Sequence, residues 1–174
     1  NTPVISLEDN ERTKLYKTEF QRTELKSTLG SLDDWLKTLG TKVVVEEISE
    51  VNRQRASQLF NKTNQMNLST RRMTEAELVD WIKEKKRHIW TFSVSDKFGD
   101  SGLTGLVGVE CNGSKIQVTD FLLSCRVMGR KIEEVMLHIV SEYGRSLNLK
   151  TLTACYLATE KNYPCYTFWK QSGF

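Results

Sequence analysis

The chain has few of the residues that announce metal, redox or disulfide chemistry. Histidine occurs twice, at His88 and His138, and the four cysteines, Cys111, Cys125, Cys155 and Cys165, include no Cys-x-x-Cys pair. That pattern argues against a zinc site and a disulfide framework; it fits reduced thiols in a cytoplasmic protein, with no metal expected. A Ser-His-Asp hydrolase would need one of the two histidines, and neither stands near a nucleophile motif. No apolar run approaches the length of a membrane span, and no secretory leader is visible. The formal charge is only +3, well short of a nucleic-acid-binding balance. Internal repeats and low-complexity segments are absent. What remains is ordinary for a globular protein: 174 residues, 27% charged and 39% hydrophobic, enough for one domain with a full core and room for an appendage. The sequence opens at Asn1 without a methionine and is read as cut from something longer.

Ser6 and Asp9 stand at capping-box spacing, so a helix is expected from Leu7 to about Leu29. Its apolar stripe (Leu15, Tyr16, Phe20, Leu25, Leu29) is thin and its charges dense, the mark of a surface or connector helix. A second capped helix starts after Ser31 and ends at Gly40. Residues 1–40 are therefore read as a helical connector and 41–174 as the main domain. Val43–Val45 is a strand by β-branched content, and a helix from Glu50 carries Ala56, Leu59 and Phe60 inward. The polar, amide-rich run Asn61–Thr70 has little periodicity. Thr74 and Glu77 open another helix, closed by Lys83, Lys85, Lys86 and Arg87. His88–Ser95 alternates as a half-buried strand, a turn covers Asp96–Gly102, and the glycine-rich strand Leu103–Glu110 leads to an Asn112-Gly113 hairpin. A third strand follows, then a helix with Ile132, Val135, Met136, Ile139, Val140 and Tyr143 at helical spacing. Lys150–Ala158 is expected to be a strand and Asn162–Gln171 a final helix. This is a mixed α/β order, an antiparallel meander followed by one crossover.

The stretch Ile116–Met136 organises the rest. A strand runs into a tight basic loop, Arg126–Lys131, holding Gly129, and a helix follows at once. Backbone amides at a helix N-terminus, with Arg126 and Arg130 beside them, form a natural place for a phosphate. The strand end at Asp120, Ser124 and Cys125 then faces whatever that phosphate carries, and these are the candidate catalytic residues. Their structural alternatives are surface salt bridging for the arginines and burial for the cysteine. Glu133 fits a helix-start carboxylate. Lys62, Thr63, Asn64, Gln65 and Asn67 are a second cluster, whose amides and hydroxyls suit a small polyhydroxylated group; the alternative is a hydrogen-bonded connector. Arg71, Arg72, Lys83, Lys85, Lys86 and Arg87 form either a docking face for an acidic partner or a solvated surface.

The loop resembles the acyl-donor loop of GNAT-type acyltransferases, Gln/Arg-x-x-Gly-x-Gly/Ala, with Arg126 and Gly129 in register and Lys131 where that family has a small residue. The segment Asn162–Phe174 is similar to that family's Asn-x-x-Ala-x-x-Phe-Tyr-x-x-x-Gly-Phe, matching at Asn162, Phe168, Gly173 and Phe174. The resemblance implies an α/β GNAT-type acyltransferase fold, a mixed, mostly antiparallel central sheet flanked by helices. It implies that Arg126, Val127, Met128, Gly129, Arg130 and Lys131 hold the pantetheine phosphate, that the strand before them offers backbone amides to the pantetheine, and that Lys62–Asn67 and Asn162 border the acceptor.

A narrower resemblance rests on Asn61–Arg72, Phe121–Arg130 and Glu133, with Glu8–Arg12 and Tyr16 upstream. These strings resemble the C-terminal GNAT-like domain of FkbH-like proteins, whose upstream domain belongs to the HAD superfamily. That family's implied role is to pass a glyceryl-type group to the phosphopantetheine thiol of an acyl carrier protein in polyketide-type biosynthesis. Two departures from the GNAT pattern stand out. Trp169 occupies the place of the usual tyrosine acid, with Tyr163 and Tyr166 as substitutes or packing residues, and Lys131 crowds the donor loop. Both departures accord with a carrier-borne arm, which has a single phosphodiester, rather than free CoA. Three readings stay open: an acyltransferase serving a carrier thiol, a degenerate GNAT module that only docks the carrier for the HAD-like domain, and a conventional acyl-CoA N-acyltransferase.

Overall fold

The computed structural model describes residues 7–174, with side chains from Asn10 onward. The cap expected at Ser6 lies outside the described residues. By compactness the chain divides into two units, one holding the residues up to Lys42 with Ser95–Asp100, the other Val43–Val94 with Ser101–Phe174.

The smaller unit is built on α1 (Leu7–Thr28) and α2 (Leu32–Leu39). Ser31 caps α2 by accepting from the Asp34 amide, and Gly40 ends it. Tyr16 and Phe20 on α1 are exposed, in keeping with the thin apolar stripe. The unit is held by a buried ion pair: Arg22 donates through Nε and Nη2 to the two Asp96 oxygens at 2.7 and 2.9 Å. The Trp35 indole donates to the Arg22 carbonyl at 3.1 Å.

The larger unit carries β1 (Lys42–Glu47), α3 (Arg53–Lys62), β2 (Met66–Asn67), α4 (Glu75–Trp81), β3 (Arg87–Asp96), β4 (Gly99–Asn112), β5 (Lys115–Leu123), α5 (Ile132–Ser146), β6 (Thr151–Ala154) and α6 (Tyr163–Gln171), with the element ends β1, β3 and β4 reaching residues of the smaller unit. α3 begins at Arg53 behind Asn52, later than the Glu50 start expected, and the Thr74–Glu77 capping box is present in full. The sheet is six-stranded, in the order β1-β3-β4-β5-β2, with β6 also on β5.

Period-two alternation sends Phe121 and Leu123 to one face of the sheet and Leu122 to the other. On the first face they meet Ile132, Met136 and Val140 of α5 and Cys165 and Trp169 of α6. On the second, Leu122 meets Ala56, Leu59 and Phe60 of α3 and Leu78 of α4. Each such side chain contributes roughly 1.5–3 kcal/mol by leaving water. Because helices cover both faces, β3 is not the half-buried strand its alternation implies. Ile89 joins the second cluster, and Thr91 is buried with its hydroxyl donating to the Glu46 carbonyl at 3.0 Å.

The far edge of β5 is shared. β6 runs parallel to its first half, from Lys115↔Thr151 to Val118↔Ala154. β2 runs antiparallel to its last residues, Met66↔Leu123 and Asn67↔Leu122, and the Leu68 amide donates to the Phe121 carbonyl at 3.2 Å. The expected strand Lys150–Ala158 therefore stops at Ala154. Beyond it the chain bonds to the β2 segment instead, the Leu157 amide donating to the Leu68 carbonyl at 3.0 Å. Sequence periodicity missed β2 altogether, since its partners are distant in the chain. The β4–β5 ladder also slips one residue between Gly108 and Val109. Gly108 is required there: a Cβ would lie 2.7 Å from Oδ2 of Asp120.

Candidate functional site

At the C-terminal end of β5 lies a cleft of about 650 Å³. One wall is Arg55, Leu59 and Lys62 on α3, continuing into Thr63, Asn64 and Gln65. The facing wall is Leu123, Ser124, Cys125 and Arg126, and the rim is Glu160 and Lys161. The amide-rich cluster and the Ser-Cys-Arg strand end, separated by some sixty residues of sequence, thus come together at one place. β2 explains why. Its pairing with Leu122 and Leu123 draws the segment after α3 against the end of β5.

The strand end turns through a 3-10 turn, Cys125–Val127. Ser124 caps it, its hydroxyl accepting from the Arg126 amide at 3.4 Å and its carbonyl from the Val127 amide at 3.1 Å. Cys125 is exposed and faces the cleft, whereas Cys165 is buried in the core and its thiol is pushed up to about 12 by that burial.

The other wall is braced from behind. Arg72 donates to the carbonyls of Phe60 and Thr63 and, at 2.9 Å, to Oδ1 of Asn64. Asn67 is buried, with its amide nitrogen donating to the Thr63 carbonyl at 3.0 Å and its oxygen accepting from the Thr70 amide at 2.9 Å. It touches a smaller hollow of about 290 Å³, with both ends of its side chain already engaged.

Several sequence-derived candidates are elsewhere than expected. Asp120 is fully buried and does not line the cleft. Its carboxylate accepts from both Nε and Nη2 of Arg71, from Ser69 and from Thr119, so it anchors the chain after β2 to β5. Asn162, expected at the acceptor side, is also fully buried and is a hydrogen-bond hub. Its amide donates to the carbonyls of Asn67 and Leu157 at 2.9 and 2.8 Å, and its oxygen accepts from the Tyr156 hydroxyl and the Thr159 amide. Val127 is in the core, and Met128 packs against it.

The helix-start loop differs most from expectation. Gly129 (φ 76°) and Lys131 (φ 59°) are left-handed, and α5 begins at Ile132. The Gly129 amide donates to Oε1 of Glu133 at 3.3 Å, so one amide of the expected phosphate loop is taken by the protein's own carboxylate. Burial pushes the Glu133 carboxyl above its ordinary range, partly offset by bonds from backbone amides. Arg130 is buried and folds back onto the Arg126 carbonyl at 2.7 Å. Nor does β5 offer free amides along its outer edge near the reaction point, because β2 is already paired there. Of the six donor-loop residues, Arg126 alone lines the cleft.

The basic run is also largely engaged. Arg71 pairs with Asp120 and lies 4.7 Å over the Trp81 ring, Lys83 pairs with Asp80, and Lys86 and Arg87 pair with Glu110. Trp169 is buried, edge-on to Phe121, and does not line the cleft; Tyr163 and Tyr166 are exposed, not packed in the core. Arg55, Leu59, Glu160 and Lys161 are cleft residues that the sequence reading did not single out. Arg55, Leu59 and Lys62 stand at i, i+4 and i+7 on α3, a spacing that placed them on one face. Among the described residues there is no cluster of His, Cys, Asp or Glu able to hold a metal ion, and no helix is long and apolar enough to cross a membrane.

Comparison with solved structures decides the architecture. Ard1 from Thermoplasma volcanium superposes with a TM-score of 0.60 at 13% identity, over 76% of this chain and 82% of that one. The ribosomal-protein-S18-alanine N-acetyltransferase of Escherichia coli gives 0.56 at 5% identity, over 76% and 77%. An acetyltransferase of Trypanosoma brucei gives 0.55 at 12% identity, over 76% and 92%. This chain has the GNAT fold. No protein-family model matches it, and no curated relative does either. At these identities the likeness is one of fold, and the GNAT frame is what makes the departures informative. Here the edge of β5 is closed by β2, and the start of α5 is closed by Glu133.

Proposed function

We propose that this GNAT-fold chain transfers a small polar acyl group, of glyceryl type, to the phosphopantetheine thiol of an acyl carrier protein, acting beside an upstream HAD-like domain in polyketide-type biosynthesis. The observation that carries the reading is the meeting of Lys62–Gln65 with Ser124–Arg126 in one cleft. Asn64 and Gln65 present amide groups able to match the hydroxyls of the acyl group, and a site built on such groups rejects acyl chains that lack them. Cys125 supplies a thiol at the same place. In the reaction proposed, its sulfur attacks the acyl carbonyl of an incoming thioester, the carbon–sulfur bond to the donor breaks, and the proton lost by Cys125 ends on the departing thiolate. The arm thiol then repeats the exchange in reverse. Because the proton lost by Cys125 can pass to the departing thiolate, the exchange needs no separate acid at the Trp169 position.

The test is incubation of the chain with a glyceryl thioester and pantetheine, followed by mass spectrometry. Acyl-pantetheine should form, an acyl adduct should map to Cys125, and Cys125→Ala should abolish both. Transfer that survives Cys125→Ala removes the covalent step, and no transfer at all removes the enzyme reading.

A second reading, a carrier-docking module without chemistry of its own, is favoured by the closed edge of β5 and the buried indole of Trp169. It predicts equal binding of apo and holo carrier. The conventional acyl-CoA N-acyltransferase reading, consistent with the fold, predicts instead tight CoA binding.

A further inference from the structure

Several arginines of this chain have a carboxylate: Arg22 pairs with Asp96, Arg71 with Asp120, Arg87 with Glu110 and Arg145 with Glu142. The cleft is different. Arg55, Lys62, Arg126 and Lys161 all line it. Among the described residues, none of them is within ion-pair distance of a carboxylate, and Glu160 on the rim is the one acidic residue of the lining.

Arg55 and Arg126 line the same cleft. Burial, and then the charge of Arg126, draws the Arg55 guanidinium below its ordinary value. Arg55 is nevertheless fixed in place: Nε donates to the Leu103 carbonyl at 3.2 Å and Nη1 to Oε1 of Gln58 at 3.0 Å. A half-buried guanidinium that shares a cleft with other cations, with donors remaining and no ion-pair partner among the described residues, is an arrangement that an anionic ligand completes.

We propose that the cleft binds a phosphate ester, gripped between Arg55 of α3 and Arg126 of the strand end, with Lys161 closing over it. The site shares Arg126 with the loop but not the start of α5, where Glu133 already takes the amide of Gly129. Guanidinium pairs suit a phosphate's planar faces of oxygens. A cleft of about 650 Å³ has room for an organic group beside the phosphate. Asn64, Gln65 and Glu160 on the remaining wall would meet hydroxyls of that group. The phosphate comes either from a small hydroxylated phosphate ester or from the base of a pantetheine arm. The inference does not depend on acyl transfer.

The test is protection of Cys125, which lines the same cleft, from a neutral alkylating reagent, read by peptide mass mapping on the whole chain at low salt. Probes are glycerol 3-phosphate against glycerol, and phosphopantetheine against pantetheine. The phosphorylated member of at least one pair should protect and its unphosphorylated partner should not. The pair that responds identifies the source. Arg126→Gln, on an exposed side chain whose loss leaves folding intact, and Arg55→Gln should each raise the half-protecting concentration about tenfold or more. Glu133→Gln should leave it unchanged. Equal protection by phosphorylated and plain probes, no protection by any probe, or protection indifferent to Arg126→Gln overturns the proposal, as does protection altered by Glu133→Gln alone. Phosphate-dependent protection without transfer keeps this site and removes the acyl-transfer reading. Transfer without phosphate-dependent protection does the reverse.

Discussion

Two places around the end of β5 are arranged for negative charge, and they are resolved in opposite ways. At the start of α5 the charge is internal, with Glu133 accepting from the Gly129 amide. In the cleft, Arg55 and Arg126 line one pocket and neither has an ion-pair partner among the described residues. The first place resembles the GNAT donor loop in sequence, and the second shares only Arg126 with it. A motif that fits a phosphate can be satisfied by its own chain, while unpartnered cations on distant segments mark a place where a ligand's charge is missing. The same contrast separates Asp120, which is buried and fully engaged, from Cys125, which is exposed on the cleft.

If that contrast holds, the internally satisfied groups act on stability and the cleft groups on binding. The largest effect belongs to Asp120→Ala. It leaves Arg71 unpaired at the sheet and frees the chain after β2, and should lower unfolding stability by about 3–5 kcal/mol in denaturant titration. Asn162→Ala comes next. It removes the amide that joins Asn67, Leu157, Tyr156 and Thr159, and should cost about 2–3 kcal/mol by the same measurement. An unaltered melt for either variant would make these residues available for the site roles first expected of them. Arg126→Gln should do the opposite, changing stability by no more than about 0.5 kcal/mol while weakening phosphate-ester binding.

Thiol reactivity sharpens the comparison further. In the native chain a neutral alkylating reagent should modify the exposed Cys125 and Cys155 and spare Cys165, which is buried and whose thiol is pushed up to about 12. Rapid labelling of Cys165 would mean that α6 does not pack as described. The smallest effect is on pH dependence. Burial raises the Glu133 carboxyl in the folded chain, so the folded state binds the extra proton. That contribution to stability is complete below the ordinary carboxylate range and is lost as pH rises through the folded value. Glu133→Gln should therefore gain stability relative to the parent toward neutral pH, with the difference fading in acid. A constant difference across that range would show that Glu133 is not buried against the loop.

The helices were legible because their signals are local. The Ser31 and Thr74 caps, and the spacing of Ile132, Met136 and Val140, act within a few residues of the backbone they organise. The hairpin at Asn112-Gly113 was legible for the same reason. The two walls of the cleft were legible as compositions, one rich in amides and one a Ser-Cys-Arg strand end. Their neighbours Arg55 and Lys161 were not, since isolated cations look like any solvated surface until something places them together.

By itself, then, the sequence determined the order of helices and strands apart from β2, the caps at Ser31 and Thr74, the Asn112-Gly113 hairpin, and an α/β core patterned to bury a sheet between helices. Tertiary structure alone decided that Met66–Leu68 pairs with β5, that Asp120 and Asn162 serve the scaffold, that Glu133 closes the α5 loop, and that the unpartnered cations share one cleft. The reason is range. Capping and periodicity are settled over a turn of helix, whereas the pairing of residue 66 with residue 123 and the meeting of like charges depend on contacts that exist only once the sheet has formed.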